Sequence, residues 1–215
     1  MSGIVVLISG RGSNLAAMCE AGLTSYIKCV ISNKASAPGL EFAKSIGLNV
    51  TVIPHNKFAS RESFDQDIAE IIDHYNPELI VLAGFMRILS PWFINHYHNK
   101  IINIHPSLLP SFVGATAQAD ALSARVKVSG ATVHFVTDKL DHGPIIAQGV
   151  VPVNAADDIE SIKKRILSLE HVIYPFIIHK ILNKQVTLDG SGSVIVDNDH
   201  TDIQWLKGFA NHIFY

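Results

Sequence analysis

Short apolar runs that alternate with helix-like segments constrain the fold of this chain more than any other feature. Each run spans only four or five residues and ends at a glycine, a proline or a polar turn, which favours a buried strand over a helix. In the segments between these runs, apolar residues recur at helical spacing, as in Ser60–Tyr75, where Phe64 is expected in the core. The pattern predicts an α/β fold with a doubly wound, mostly parallel sheet. The first strands of that sheet are predicted at Ile4–Ile8, Ile27–Ile31, Asn49–Ile53, Leu79–Ala83 and Ile101–Ile104.

The second half of the chain adds two further strands and a long helix. Ala131–Val136 and Ile145–Val153 are predicted to pair like a hairpin, which gives the sheet a C-terminal antiparallel strand pair. Asp157 or Asp158 is expected to cap an amphipathic helix that runs to about Leu182 and is interrupted near Pro175. A chain of 215 residues is long enough for one sizeable domain of this class, so we expect a single domain.

Composition disfavours several classes of protein. A net charge of -2 and a pI near 6.6 give no basic field for a nucleic acid, although a local anion site stays possible. Cys19 and Cys29 form no Cys-x-x-Cys pair, so reduced thiols are expected rather than a zinc knuckle or disulfides. The pair His96 and His98 lacks a nearby carboxylate or cysteine, which favours a solvated helix end over a metal site. Without a leader-like or membrane-spanning run, the chain is expected to be soluble and cytoplasmic.

A glycine-rich loop follows the first predicted strand. Gly10 and Gly12 allow backbone N–H groups to approach an anion, and Ser13 and Asn14 add side-chain donors at the start of a helix. A tight strand-to-helix connection without a ligand explains the glycines equally well. The third glycine of a dinucleotide fingerprint is replaced by Leu15, which points away from NAD and toward a single phosphate.

A second polar cluster is predicted where the strand Ile101–Ile104 reaches His105. Asn103 lies two residues earlier on the same strand face, and ligands of parallel sheets bind just outside the strand ends. Asparagine offers neutral donors and histidine a proton that titrates near neutrality, a pair suited to a reaction that forms an oxyanion. The two side chains could also merely satisfy backbone groups. The loop after Ala131–Val136 could bring Asp141 to His105, which favours the chemical interpretation.

Five motifs along the chain resemble those of the folate-dependent formyltransferases. They occur in order between about Ile4 and Pro175, and their agreement makes the resemblance specific. The resemblance implies a Rossmann-like formyltransferase fold with a phosphate-binding half (1–100), a catalytic and folate half (101–185) and a C-terminal extension (186–215) of open role. The motifs are Ser9–Leu15, Leu82–Ser90, Asn103–Pro110, Thr137–Pro144 and Glu170–Pro175.

The resemblance also implies a reaction. A formyl group would pass from 10-formyltetrahydrofolate, a co-substrate, to the amine of a phosphoribosylglycinamide in purine synthesis, without a metal. The expected partners are these small molecules, with no nucleic acid and no membrane, and the protein would be a monomer or a homodimer. Positioning should supply much of the rate, because the amine is itself the nucleophile.

Roles for individual residues follow from the resemblance. Asn103 and a protonated His105 would stabilise the formyl oxygen, and Asp141 would favour the charged imidazole and help to move the amine proton. Thr132 would help to hold a water in that transfer, with Ser107 as a second supporting residue. Glu170 would meet the substrate amine. The phosphate would bind Gly10, Arg11, Gly12, Ser13 and Asn14, and the folate Arg61, Phe85, Met86, Arg87, Ile88, Leu89, Asp138 and Leu140.

Some of these positions have other interpretations. From the residues alone, Phe85, Met86, Ile88 and Leu89 would be core residues as readily as ligand contacts. Thr116 and Gln118 stand where relatives often carry histidines, so a second imidazole is not expected to assist there. Leu167 replaces a polar contact on the phosphate side.

Three other functions share part of this pattern. A methionyl-tRNA formyltransferase has a similar catalytic core, but 215 residues leave little room for a tRNA-binding domain and the charge is slightly acidic. A formyltetrahydrofolate hydrolase would use the same triad with water as the nucleophile, usually beside an N-terminal regulatory domain. A non-catalytic nucleotide-binding module would need only the glycine-rich loop, and the joint presence of Asn103, His105 and Asp141 argues against it.

Overall fold

Strands form where the sequence has its short apolar runs. In the computed structural model, which describes residues 3–189 and 192–197, seven strands make one sheet in the order β3-β2-β1-β4-β5-β6-β7. The described residues contain nine strands in all, and β8 and β9 form a separate two-stranded sheet. The strands are β1 (Ile4–Ile8), β2 (Ile27–Ser32), β3 (Val50–Val52), β4 (Leu79–Leu82), β5 (Ile101–His105), β6 (Val128–Phe135), β7 (Ile145–Pro152), β8 (Val186–Leu188) and β9 (Val194–Val196).

Helices connect the parallel strands, and their ends carry the expected capping residues. Ser60 accepts a hydrogen bond from the Ser63 amide at the start of α3, and Ser90 does the same for Phe93 before α4. Asp158 caps α6, as one of the two predicted aspartates. The helices are α1 (Ser13–Glu20), α2 (Pro38–Ser45), α3 (Arg61–Tyr75), α4 (Pro91–His96), α5 (Ala117–Ser123) and α6 (Ile159–Leu182).

The pairing confirms the predicted doubly wound sheet with its antiparallel pair. Strand β1 pairs in parallel with β2 on one side and β4 on the other, so the strand order reverses at β1. Strands β3 and β5 extend the parallel arrangement outward, and β6 and β7 pair antiparallel. Ligands bind α/β sheets outside the strand ends at such a reversal. The loops after β1 and β4 therefore lie where a ligand is expected.

The described residues fall into two compact units. The first contains residues 3–103 and 135–139, and the second contains residues 104–134 and the described residues from 140 onward. A hydrophobic core in the first unit includes Phe64, which is fully buried as predicted, with Leu7 and Ile68. The expectation of a single domain stays a prediction.

Two local features differ from the sequence expectations. Helix α6 is not interrupted at Pro175 but continues to Leu182 over 24 residues. Proline removes one backbone donor, but Pro175 and its neighbours Tyr174 and Ile178 are buried, and their packing outweighs the lost hydrogen bond. Strand β6 begins at Val128, three residues before the predicted start, because its pairing with β7 extends to Pro152.

The C-terminal extension is described in part. Its hairpin, β8 and β9, had no counterpart among the predicted elements. The buried Lys180 of α6 donates from Nζ to the Asp197 carbonyl oxygen at 2.5 Å, which ties the end of this hairpin to the helix. Residues 190–191 and 198–215, including the aromatic tail, lie outside the described residues. Within the described residues no helix is long and apolar enough to cross a membrane.

Candidate active site

The glycine-rich loop has a geometry that glycine alone fits. Gly12 precedes α1 with φ of 74°, a left-handed conformation, and a Cβ on it would meet the Gly39 Cα at 2.8 Å. The Gly39 amide donates to the Gly10 carbonyl oxygen at 3.1 Å, so the start of α2 packs directly on this loop. Arg11 is exposed and Asn14 is buried at the start of α1. The loop thus presents a helix N-terminus beside an exposed guanidinium, a combination suited to an anion.

Ser9 joins this loop to the loop that follows β4. Its hydroxyl donates to Asn33 Oδ1 at 2.6 Å and accepts the Met86 amide at 2.8 Å. The Ser9 amide also donates to the Gly84 carbonyl oxygen at 3.1 Å. Asn33, at the end of β2, approaches His55 Nδ1 with its side-chain nitrogen at 3.1 Å. The two loops at the reversal of strand order are therefore fixed to each other by buried polar groups.

The loop after β4 divides into buried and exposed side chains. Phe85 and Leu89 pack in the core of the first unit, whereas Met86 and Ile88 are 70% and 52% exposed. Met86 and Ile88 are therefore the predicted folate contacts of this loop whose side chains a ligand could reach from solvent. A contact from the buried Phe85 or Leu89 would have to use their backbone.

Charged residues surround Phe64 on the same unit. The Arg87 guanidinium lies 5.5 Å from the Phe64 ring centroid, and no hydrogen-bond partner of its buried Nε is found among the described residues. Asp65, which is fully buried, accepts the Ser90 amide at 2.5 Å. Burial raises the pKa of Asp65, while the Ser90 donors and then Arg61 and Arg87 oppose that rise. Arg61 itself is exposed at the start of α3.

His105 ends β5 in the second unit, and both of its ring nitrogens face oxygen atoms. Nε2–H donates to the Phe112 carbonyl oxygen at 2.9 Å, and Nδ1 lies 3.5 Å from Asp141 Oδ2. The side chains of His105 and Asp141 are each only 7% exposed. A neutral imidazole has one donor, whereas the imidazolium has two and would supply both oxygens. The imidazole ring is therefore oriented from both of its nitrogens.

Asp141 is held in place from several directions. Its backbone is left-handed, with φ of 55°, which aspartate tolerates better than most residues. Oδ2 accepts the Gly114 amide at 2.9 Å, and Oδ1 lies 3.9 Å from His134 Nε2. The structure thus brings Asp141 to His105, as predicted, and adds His134 as a second imidazole beside the carboxylate.

Thr132 makes three hydrogen bonds to the surrounding protein. Its buried hydroxyl donates to the Ser107 carbonyl oxygen at 2.7 Å and accepts both the Leu109 amide at 3.1 Å and Gln148 Nε2 at 3.0 Å. One donor and two lone pairs are the whole capacity of a hydroxyl, and protein groups occupy all three here. Thr132 thus fastens the turn that follows His105, and its part in holding a water stays a prediction. Ser107 supports the same turn by donating to the Ser111 carbonyl oxygen at 2.6 Å.

The remaining predicted site residues are distributed over both units. Asn103 is half-buried on β5 in the first unit, two residues before His105, and Asp138 is exposed in the same unit. Leu140 is 50% exposed in the second unit. Glu170 is buried on α6 one turn before Tyr174, and burial, then the Glu170 charge, raises the pKa of Tyr174 well above its usual range. A buried carboxylate on α6 suits a cationic or amine ligand.

The described ranges 3–189 and 192–197 contain no group of three or more His, Cys, Asp or Glu side chains placed to hold a metal ion. His96, from the predicted solvated helix end, stacks on Trp92 with ring centroids 5.1 Å apart and lies 3.0 Å from Asp73 Oδ2. Its surroundings are those of a surface side chain.

Comparison with known proteins agrees with this geometry. The family model described as formyl transferase matches residues 2–178. The chain is 44% identical to the phosphoribosylglycinamide formyltransferase of Escherichia coli over 209 residues, which cover 95% of this chain and 93% of that protein. The chain belongs to the formyl transferase family.

Two further formyl transferase relatives extend the comparison. A crystal structure of phosphoribosylglycinamide formyltransferase from Anaplasma phagocytophilum superposes with a TM-score of 0.86 at 44% identity, covering 92% of this chain and 95% of that one. The trifunctional purine biosynthetic protein adenosine-3 of Chironomus tentans is 44% identical over 206 residues, which are 93% of this chain but 14% of that protein. These likenesses include the fold as well as the sequence.

Sequence reasoning missed several residues that build the candidate site. His134 lies in the predicted strand Ala131–Val136 but was not assigned a role, and Gln148 and Asn33 carried no chemical signal. Gly39 could have been found, because a glycine in the first turn of a helix has no local reason to be there. Its reason is the contact with Gly12, which only the fold reveals.

Proposed function

We propose that this protein transfers the formyl group of 10-formyltetrahydrofolate to the amine of 5'-phosphoribosylglycinamide. The products are formylglycinamide ribonucleotide and tetrahydrofolate, in the de novo synthesis of purines. The buried pair of His105 and Asp141, fixed by the Gly114 amide, carries the proposal. The identity to the E. coli phosphoribosylglycinamide formyltransferase, 44% over nearly its whole length, supports the choice of substrates.

The reaction forms one C–N bond and breaks another. The substrate amine attacks the formyl carbon, whose oxygen becomes an oxyanion, and the collapse of this intermediate expels the folate nitrogen. One proton leaves the attacking amine and one is delivered to the folate nitrogen, so no external acid is consumed. Donors aimed at the oxyanion are worth more than donors to the ground-state carbonyl, because the charge develops only during the reaction.

The proposed roles follow from the chemistry of each side chain. Asn103 and the His105 imidazolium donate to the oxyanion. Asp141 stabilises that imidazolium and relays the proton of the amine. His105 must release one of its two oxygen partners to meet the formyl oxygen, and the 3.5 Å separation from Asp141 is the weaker of the two contacts. Glu170 accepts a hydrogen bond from the neutral amine and orients it for attack.

The ligand-binding roles belong to the same proposal. Gly10, Arg11, Gly12, Ser13 and Asn14 hold the phosphate of the ribonucleotide, and the loop after β4 holds the pteridine ring. Arg61 and Arg87 supply positive charge for the folate carboxylates. No metal takes part in the proposed reaction, and the protein acts on small molecules in the cytoplasm as a monomer or a homodimer. The free thiols of Cys19 and Cys29 are consistent with a reducing compartment.

The test is the production of tetrahydrofolate from 10-formyltetrahydrofolate with and without glycinamide ribonucleotide. We expect turnover that depends on the amine. Folate cleavage at the same rate without the amine would identify a hydrolase. No turnover with or without the amine would leave formylation of initiator tRNA or ligand binding alone as the function. Either result contradicts the proposal.

A further inference from the structure

The backbone that follows His105 forms a turn, Pro106–Phe112, which we call the catalytic turn. Its internal hydrogen bonds include the Ser107 hydroxyl to the Ser111 carbonyl oxygen at 2.6 Å and the Ser111 amide to the Leu108 carbonyl oxygen at 3.0 Å. The turn ends at Phe112, whose carbonyl oxygen accepts from His105 Nε2 at 2.9 Å. Any displacement of the turn therefore moves an acceptor that orients the imidazole.

Gln148 reaches this turn from the neighbouring strand. It lies opposite Thr132 in the antiparallel register of β6 and β7. Its Nε2 donates to the Leu109 carbonyl oxygen at 2.8 Å and to the Thr132 hydroxyl at 3.0 Å, while the Leu109 amide donates to that same hydroxyl at 3.1 Å. Both backbone polar groups of Leu109 are thus held by the Gln148–Thr132 pair.

We infer that Gln148 is a positioning residue that holds the catalytic turn, and through it His105, in the geometry of formyl transfer. The inference rests on the role proposed for His105. Gln148 acts through the turn, because its side chain donates to Leu109 and Thr132 and makes no hydrogen bond to His105 or Asp141 among the described residues. Because the amide nitrogen of Gln148 carries two hydrogens, it can donate one to the Leu109 carbonyl oxygen and one to the Thr132 hydroxyl.

The position of Gln148 makes this role separable from a purely structural one. Gln148 is an exposed residue on β7, the last strand in the order of the sheet. Substitution of Gln148 leaves no core cavity, so its cost in stability is limited to the two hydrogen bonds that the side chain donates. A loss of kcat that persists at temperatures where the variant is fully folded, with KM unchanged, is therefore what distinguishes positioning from packing.

The experiment compares Gln148→Met, Gln148→Glu and Gln148→Lys with the wild-type protein. Met and Glu have a similar length but no donor, whereas Lys keeps a donor on a flexible chain. We expect kcat to fall about ten-fold in the Met and Glu variants, the effect of one net hydrogen bond, with KM for both substrates unchanged. The Lys variant should recover most of the rate. Hydrogen exchange of the Leu109 amide should be faster in the Met and Glu variants, a readout that needs no substrate.

Val150→Ala is the matched control, because Val150 is exposed at 42% on the same strand and two residues from Gln148. We expect it to leave kcat and the Leu109 exchange rate unchanged. Wild-type kcat in the Met variant with unaltered Leu109 exchange would overturn the inference. A fall of kcat in the Lys variant as large as that in the Met variant would also overturn it, because the loss would then come from the changed shape of the side chain and not from the missing donor. An inactive wild type would instead refute the proposed function, and the exchange measurement would still test the hold of Gln148 on the turn.

Discussion

The left-handed backbone of Asp141, with φ of 55°, allows one atom to be changed without moving the chain. Asparagine adopts this conformation as readily as aspartate, so Asp141→Asn removes the charge but keeps the shape. We expect kcat to fall by about 10²–10⁴-fold, the range for loss of a positioned acid–base group, while both substrates still bind. Steady-state turnover gives kcat, and isothermal titration with each substrate gives binding.

The exposed Asp67 of α3 offers a matched control for that change. Asp67→Asn removes the same charge at a residue with no proposed role and should leave kcat unaltered. If Asp141→Asn retained near-normal turnover, the carboxylate would have no part in proton movement, and the role proposed for His105 would lose its partner.

Residues differ in how far the sequence could reveal them. The proximity of His105 and Asp141 could be predicted, because His105 follows a strand end and the loop that carries Asp141 could reach it. The partners of Thr132 could not, since the hydrogen bonds of a hydroxyl depend on the surrounding backbone. Gln148 could not be found, because its partners lie on a turn that is 39 residues away in sequence. Side-chain contacts at that separation follow from the strand register, which a single sequence does not specify.

At the scale of elements, the loop after β4 depends on the hydroxyl of Ser9. Ser9→Ala leaves Asn33 Oδ1 and the Met86 amide without this partner, and a buried polar group left unsatisfied costs about 1–3 kcal/mol. We expect KM for 10-formyltetrahydrofolate to rise about ten-fold or more, as 1.4 kcal/mol corresponds to a factor of ten. The effect on kcat should be smaller, because His105 is in the other unit.

Ser25→Ala serves as the control for Ser9→Ala, because Ser25 is exposed in the 3₁₀ turn Thr24–Tyr26 before β2. Initial rates at varied folate concentration give both constants. An unchanged folate KM in Ser9→Ala would mean that the loop after β4 keeps its conformation without Ser9, or that this loop does not bind the folate.

The start of α6 depends on an ion pair that should respond to acid. Arg165 holds Asp157 with Nη1 at 2.7 Å and Nη2 at 2.8 Å, and these bonds, with those from the Asn154 amide and Ser161, keep the pKa of Asp157 well below its usual range. A carboxyl whose pKa is lowered by folding stabilises the protein above its unfolded pKa, about 3.9, and this stability is lost as the pH falls.

Asp157→Asn should therefore lower Tm at pH 7 and weaken the acid dependence of stability below about pH 4. The loss should be about 1 kcal/mol, near the value of an exposed pair, because 28% of the Arg165 side chain is in solvent. Thermal unfolding of both proteins between pH 3 and 7 measures the difference, with about pH 4 as the expected onset. A constant difference in Tm across this range would show that the Asp157 charge is not the stabilising group.

Whole elements were easier to predict than their interruptions. The strands of the parallel sheet followed from apolar runs bounded by glycine and proline, because buried parallel strands need no alternation. The break expected at Pro175 did not occur, since the local cost of a proline was outweighed by burial that only the full packing shows. The β8–β9 hairpin was missed because its short strands carry little periodicity.

At the scale of the whole molecule, net charge separates the proposed substrates from a nucleic acid. A net charge of -2 gives no long-range attraction to a phosphate, so binding of the ribonucleotide depends on local groups such as Arg11. We expect KM for glycinamide ribonucleotide to rise only a few-fold between about 50 and 200 mM NaCl, because one phosphate contact is screened. Arg11→Ala should raise KM for glycinamide ribonucleotide and remove most of its dependence on NaCl concentration.

A tRNA substrate, with six or more phosphate contacts, would lose about 10³-fold in affinity over the same range of NaCl concentration. Such a steep loss in turnover of the natural substrate would overturn the assignment to a small ribonucleotide, whereas a shallow one would leave the glycine-rich loop as the site of a single phosphate.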